Sequence, residues 1–189
     1  MSEQMSAEIW IGGKISARLV LKLCETIAQQ CVICDWGDGS FHPHTADELL
    51  AVCRENAKGV RLLWFCDDQA RWGEFEVLEA FLQRHKIAYT RRSDGKWEYE
   101  PTLVEYRPPR SLFVFTTNNA GEVVVPASKL ADALSQIPSR ISPATSASSA
   151  RAVAAVLRGL HKTLPPQVPP LEPFEIVRRQ DRRTARGNA

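Results

Sequence analysis

The chain has 189 residues, of which 44% are apolar and 24% charged. It is long enough for one domain, with room for an appendage, and its composition is ordinary for a globular protein. The net charge of +2 conceals an uneven distribution. Residues 140–189 carry nine basic and three acidic side chains, whereas residues 1–139 carry 15 basic and 19 acidic ones. An acidic body with a basic tail predicts that the two parts meet different partners.

Localisation is predicted from segments that the sequence lacks. The first ten residues have neither the basic region nor the apolar region of a secretory signal, and no run of 18 apolar residues follows. The five cysteines are an odd number and fall mostly in apolar patterns. We therefore expect a cytoplasmic protein whose thiols are reduced and buried, with no cofactor.

The first half of the chain alternates between strand and helix patterns. A strand over 8–15 precedes a helix over 16–30, which Ser16 is expected to cap. A second strand over 31–35 ends at the turn 36–39, and a helix beginning at Thr45 is expected to run to Gly59. The very apolar run 60–66 predicts a central strand, with Trp64 and Phe65 at the centre of the core.

The second half repeats part of this order. A helix near 73–85, with Leu78, Phe81 and Leu82 inward, leads to a strand over 87–91 and a turn into 96–100. Residues 112–117 and 122–125 flank Asn118-Asn-Ala-Gly121 and predict a hairpin, which a short helix over 128–137 follows. Two β-α-β units predict a layered α/β sandwich, ferredoxin-like or with a mixed sheet, plus a C-terminal hairpin and helix.

The composition divides the chain into four parts. Residues 1–137 form the α/β core domain, and the Ser/Ala/Pro-rich residues 138–149 are typical of a linker. Residues 150–164 carry Val and Leu at helical spacing, which predicts an amphipathic helix. The extended residues 165–189 are rich in Pro and Arg, so we expect a disordered basic tail.

Residues 116–134 resemble the first half of an AbrB-type swapped-hairpin DNA-binding domain. They share with it a turn glycine at Gly121, an apolar strand ending at Pro126 and a following helix. The strands of the second half of that domain are missing from the sequence that follows. Asn118, Asn119 and Glu122 also replace the basic residues expected in the hairpin, so the resemblance covers this segment alone.

Carboxylates give the strongest catalytic hypothesis. Asp35 and Asp38 follow the second predicted strand, and Asp67 and Asp68 follow the apolar one. If these strands are parallel neighbours, the four side chains lie at one sheet edge and could hold Mg²⁺ for phosphodiester hydrolysis. The alternative is that the four aspartates are turn residues whose side chains form hydrogen bonds with the neighbouring backbone.

Two other patterns carry weaker predictions. Cys31 and Cys34 precede His42 and His44, which are zinc-ligand types, but residues i and i+3 of a strand face opposite sides. We therefore predict no metal site. Gly12-Gly13 stands where a phosphate loop would lie, but it lacks the remaining residues of such a motif and predicts a tight turn.

The leading hypothesis is a non-enzymatic interaction protein, adaptor-like or inhibitor-like, and the hydrolase is the alternative. Aromatic side chains at turns beside acidic groups are typical of a protein-binding surface, although they could also pack over the ends of the core. These candidate partner-binding residues are Trp36, Phe41, Trp72, Trp97 and Tyr99.

The basic tail is the candidate for a second partner, which would be a protein, a nucleic acid or the chain's own core. The arginines proposed to contact phosphate are Arg178, Arg179, Arg182, Arg183 and Arg186. Contacts of this kind are independent of nucleic-acid sequence and weaken steeply with salt.

Overall fold

The computed structural model describes residues 3–96, 98–109, 112–135, 151, 153–154, 157–160 and 164–178. Eight strands occur in this part of the chain: β1 (Gln4–Gly12), β2 (Lys14–Ser16), β3 (Cys53–Glu55), β4 (Arg61–Arg71), β5 (Ala88–Ser93), β6 (Thr102–Tyr106), β7 (Leu112–Thr116) and β8 (Glu175–Val177). The helices are α1 (Val20–Gln30), which a 3-10 turn precedes, α2 (Ala46–Ala51), α3 (Glu76–Arg84) and α4 (Ala127–Ser135). Residues 151, 153–154 and 157–160 are also helical.

Six strands form one sheet in the order β3-β4-β1-β5-β6-β7, and every neighbouring pair is antiparallel. The fold is therefore mixed α/β, as predicted, but this sheet is not of mixed direction. A separate two-stranded parallel sheet joins β2 to β8. The unit β4-α3-β5 is the second of the two predicted β-α-β units, and β1 lies between its two strands.

The main core lies on one face of the sheet, which we call the helix face. Alternate side chains of β1 and β4, such as Ile9 and Phe65, point to this face because strand residues alternate between faces. Leu23 of α1, Leu49 of α2 and Leu78 of α3 belong to the same buried cluster. The predicted core residues Phe65, Leu78, Phe81 and Leu82 are all in it.

Trp64 is buried but on the other face, which we call the open face. It forms a small second cluster with Ile33 and Cys66, and Trp10 packs against them. No helix in the described part of the chain contributes a buried side chain to this cluster. The prediction that Trp64 lies at the centre of the main core was wrong. Successive side chains of a strand point to opposite faces, so Trp64 points to the open face because Phe65 points to the helix face.

The predicted second strand over 31–35 is reduced to a single bridge between Ile33 and Cys66. Helix α1 ends in a left-handed residue, Cys31 (φ 58°), which turns the chain sharply at the point where the strand was expected to begin. The guanidinium of Arg54 then donates a hydrogen bond to the carbonyl oxygen of Cys34 at 2.6 Å. The first predicted β-α-β unit therefore lacks its second ladder strand.

The helix at Thr45 begins as predicted but ends at Ala51, not at Gly59. The Thr45 hydroxyl accepts from the Glu48 N–H, as an N-cap should. The chain then forms β3 and a turn in which the Asn56 carboxamide oxygen accepts from Val60 N. The predicted helix cap at Ser16 makes no side-chain hydrogen bond.

Strand β4 extends to Arg71, so Asp67 and Asp68 lie within a strand and do not follow one. Strand β6 was not predicted, and the segment 96–100 that follows the predicted turn forms only a bridge between Lys96 and Tyr99. The predicted hairpin after β7 is present, since Asn118 N donates to Glu122 O and Val124 N to Thr116 O. Helix α4 follows it, which matches the predicted short helix.

The prediction of an unpacked tail does not hold for its first part. Phe174 is buried in the main core, and its N–H donates to Arg61 O at 3.0 Å. Gly13 N donates to Glu172 O, and a Cβ on Gly12 would lie 2.3 Å from that oxygen. The adjacent glycines therefore let the C-terminal segment cross closely, and we call residues 169–177 the strap.

Arg107 fastens the beginning of the strap to the sheet. Its guanidinium donates to the carbonyls of Pro169 and Tyr89, to the Thr90 hydroxyl and to the Glu105 carboxylate. Burial lowers the pKa of Arg107, while the charge of Glu105 raises it. Residues 138–149 and 179–189 lie outside the described residues, as do parts of the predicted helix 150–164.

Candidate functional site

The structure divides the predicted aromatic surface into separate places. Trp36 is 49% exposed on the open face, whereas Phe41 is half-buried against Phe65 with ring centroids 5.9 Å apart. Trp72 and Tyr99 stack edge to face at 5.3 Å on a different part of the surface. Trp97 lies outside the described residues. Phe41 therefore packs against the core, which is the alternative role that the sequence left open for these aromatic residues. Trp36 is the most exposed of the aromatic candidates among the described residues.

Three tryptophans form the centre of the open face. The ring of Trp64 lies 5.9 Å from that of Trp10 and 6.3 Å from that of Trp36, centroid to centroid. The Trp64 indole N–H donates to the Glu8 carboxylate at 3.1 Å. We call Trp10, Trp36 and Trp64 the tryptophan cluster; sequence reasoning found only Trp36, because Trp10 and Trp64 read as ordinary strand residues.

Arg54 holds this cluster to the neighbouring turn. Its guanidinium carbon lies 4.3 Å from the centroid of the Trp64 ring, and its Nη2 lies 3.3 Å from Asp35 Oδ2. A cation over an indole face is attracted by the ring quadrupole. The single side chain of Arg54 thus joins β3, β4 and the turn that carries Trp36.

The turn that carries Trp36 is held by hydrogen bonds between its own residues. The other carboxylate oxygen of Asp35 accepts from Trp36 N at 3.0 Å, and Asp38 N donates to Asp35 O at 3.1 Å. Gly37 has φ of 86°, a conformation that side chains disfavour. Trp36 is therefore exposed on a turn that is ordered in advance, which lowers the entropic cost of binding.

A cavity of about 570 Å³ adjoins Trp36 on the open face. Glu8, Arg92 and Asp94 line it from the sheet, and Asn118 and Gly121 line it from the hairpin after β7. The lining of this cavity therefore combines an indole with side chains of both charges and with an amide group.

The four aspartates of the hydrolase hypothesis do not follow parallel strands, because the strands of the sheet are antiparallel and β4 includes Asp67 and Asp68. Asp35 is occupied by Arg54 and its own turn, and Asp67 accepts from Gln69 N at 2.8 Å. Burial raises the pKa of the Asp67 carboxyl. In the described part of the chain, no three side chains of His, Cys, Asp or Glu are grouped as metal ligands would be.

The cysteine and histidine positions are also separate. Cys31 is exposed at the end of α1, and Cys34 is half-buried beside the main core. Burial raises the pKa of the Cys34 thiol to about 11 and that of Cys66 to about 12. His44 N donates to a Glu48 carboxylate oxygen at the start of α2. These contacts assign His44 to a helix N-terminus.

A buried polar network on the helix face was not predicted from the sequence. Arg91 Nε lies 2.8 Å from Glu79 Oε1, and the Tyr89 hydroxyl donates to Glu79 Oε2 at 2.8 Å. Gln83 donates to Tyr89, and Arg91 also donates to the carbonyl of Gly73. These bonds lock α3 to β5. Arg91 and Glu79 also line a cavity of about 420 Å³ beside Trp72.

Arg178 is the one arginine of the predicted nucleic-acid set within the described residues, and it is exposed. Arg179, Arg182, Arg183 and Arg186 lie outside them. None of the helices that the structure describes has the length and apolar character needed to cross a bilayer.

Comparison with protein-family models, with curated proteins and with solved structures found no match to this chain.

Proposed function

We propose that this chain is a non-enzymatic interaction module, adaptor-like or inhibitor-like, that binds a protein through the open face around Trp36. The observation that carries the proposal is the half-exposed indole of Trp36 resting on the buried indole of Trp64. Tryptophan is among the residues most enriched at the energetic centres of protein interfaces. A rigid, partly exposed indole contributes contact area with few rotatable bonds to immobilise.

The charges around Trp36 favour a basic partner. Glu8, Asp35, Asp38 and Asp94 lie around the tryptophan cluster and its cavity, opposed by Arg54 and Arg92. The ion pair with Asp35 already balances Arg54, which leaves Glu8, Asp38 and Asp94 facing Arg92 and, beside Trp10, Lys58 among the described residues of this surface. A lysine or arginine of the partner would bind beside these carboxylates and contact the face of Trp36.

The basic C-terminal arginines are proposed as a second contact, with phosphate groups of a nucleic acid as their preferred ligand. Arg178 follows directly after β8, so the strap brings the start of this basic segment to the body of the domain. The proposal for the tail is independent of the proposal for Trp36, because the two surfaces carry opposite charge.

The test is capture of partners from a lysate of the native host, followed by titration of the captured protein against purified variants. Trp36→Ala is expected to weaken binding about 30-fold or more, since an interface hot spot contributes about 2 kcal/mol or more. Trp72→Ala is the matched control, because Trp72 is 39% exposed and lies apart from the cluster. Equal affinity of wild type and Trp36→Ala would reject the proposed surface.

A further inference from the structure

The outer edge of β7 is open. Strand β7 pairs with β6 on one side, and the returning strand of the hairpin covers only its last residue, where Val124 N donates to Thr116 O. Pro126 has no N–H and helix α4 begins at Ala127, so the returning chain does not continue along β7. The edge beside Leu112 and Val114 therefore has no neighbouring strand among the described residues.

The backbone direction at this edge follows from one hydrogen bond. Thr117 N donates to Pro101 O on the β6 side. Because successive backbone groups of a strand alternate in direction, those of Phe115 and Phe113 face β6. Those of Val114 and Leu112 face outward, where no hydrogen-bond partner lies within the described residues.

Four of the five side chains of β7 are apolar, and two of these four are exposed. Leu112 is 42% exposed and Val114 62%, and both point to the helix face, where they line the cavity beside Trp72. Phe113 and Phe115 stack on the opposite face with parallel rings 6.3 Å apart. None of the five residues of β7 is charged, so the strand lacks the lysines or bulges that usually protect a free edge.

We propose that β7 is a dimerisation strand, paired in antiparallel fashion with β7 of a second copy of this chain about a two-fold axis at Phe113. This register places Leu112 opposite the second copy's Val114, so the outward N–H and C=O groups of both residues are satisfied in each strand. It also avoids Thr116, whose carbonyl is already occupied. The inference goes beyond the proposed function and does not depend on it.

A second copy fits this edge because the strand is complementary to itself. Leu112 and Val114 of one chain meet the same two residues of the other, and Phe113 meets Phe113, without opposing charges. A short strand pair alone buries less than the ~800 Å² per partner of a stable interface. The exposed Val123 and Val124 of the returning chain, which is hydrogen-bonded to the end of β7, supply further apolar surface next to this edge.

The first experiment measures the mass of the full chain in solution by sedimentation equilibrium. Wild type is expected at twice the monomer mass, and Val114→Lys is expected to raise the dimer dissociation constant at least about tenfold, because it places a charge on the paired edge. Leu21→Lys is the control, since Leu21 is 68% exposed on α1. Wild type monomeric up to about 100 μM, or a dimer that Val114→Lys leaves intact, would overturn the proposal.

The second experiment tests the register. In a Cys31→Ser background, Phe113→Cys places two thiols at a directly facing, non-hydrogen-bonded pair, where Cα atoms are about 4.5 Å apart and a disulfide fits. Diamide, which takes up the two hydrogens of the thiols, is expected to give a covalent dimer. Phe115→Cys is the matched control, because Phe115 does not face its own copy in this register. Cross-linking of Phe115→Cys but not of Phe113→Cys would refute it.

Discussion

The strap gives the sharpest prediction about stability, because sequence and structure disagree about it. Composition predicts that loss of residues 165–189 leaves the core unchanged, whereas the structure buries Phe174 to 5% exposure within the main core. Replacing a buried Phe by Ala costs about 3–5 kcal/mol, through lost burial and the remaining cavity. For a chain of this length, about 1 kcal/mol shifts Tm by about 2–4 °C. Phe174→Ala should therefore lower Tm by roughly 6–20 °C.

Urea unfolding followed by tryptophan fluorescence measures this cost. Glu172→Ala is the matched control within the strap, because only the backbone oxygen of Glu172 contacts Gly13 and its side chain is exposed. Such a substitution should change the unfolding free energy by less than about 0.5 kcal/mol. Removal of residues 179–189 should likewise leave Tm unchanged, and removal of 165–189 should lower it. Equal stability of Phe174→Ala and Glu172→Ala would refute the packing of the strap.

Three further predictions concern the core, the thiols and the tail. Leu78→Ala should cost roughly 2–5 kcal/mol, since Leu78 is fully buried on α3, and a cost near zero in urea unfolding would contradict its packing. Burial raises the pKa of the Cys34 and Cys66 thiols to about 11 and about 12, so the unfolded chain loses these protons first. Stability should be complete below about pH 8.5 and should fall as pH rises towards these values, less steeply in Cys66→Ala; a flat profile in reductant would refute this. Binding of a DNA duplex by the full chain should weaken steeply between about 50 and 200 mM salt, and binding unaffected by salt would reject the phosphate contacts of 178–186.

The sequence predicted correctly the elements that are determined by local apolar spacing and by their own capping residues. Helix α3 and strand β4 have long, regular apolar spacing, and the Thr45 cap is present with its predicted hydrogen bond. The end of α2 could not be predicted, because Cys53 continues the apolar face of Leu49 and Leu50 and Gly59 is a plausible residue to end the helix. Pairing of Cys53–Glu55 with β4 overrides that local preference, since β propensity depends on the neighbouring strand.

The strap could not be predicted because its burial depends on a distant pair of glycines. Gly12 and Gly13 read as a turn, and only their contact with Glu172 shows that they make room for another backbone. A segment with several prolines, whose two buried apolar side chains are Leu171 and Phe174, has no periodicity. It is ordered by the hydrogen bonds of Arg107 and β2, which belong to other parts of the chain.

The candidate surface was predicted in part. Trp36 beside a turn with Asp35 could be chosen from the sequence, because turn residues and aromatic side chains are read locally. The residues that pack beneath Trp36 could not be predicted, because Trp64 lies on β4 and Arg54 on β3. Whether these two side chains contact each other depends on the strand order. The antiparallel order of the sheet likewise removed the shared strand ends at which parallel strands would have gathered the four aspartates.

The central claim is that Trp36 on the open face is the contact point for a protein partner, and one titration tests it most directly. The partner captured from the native host is titrated against wild type, Trp36→Ala and Trp72→Ala by calorimetry at equal salt. We predict that Trp36→Ala raises Kd about 30-fold or more and that Trp72→Ala changes it by less than about threefold. An unchanged Kd for Trp36→Ala, or a larger loss for Trp72→Ala, would contradict the claim.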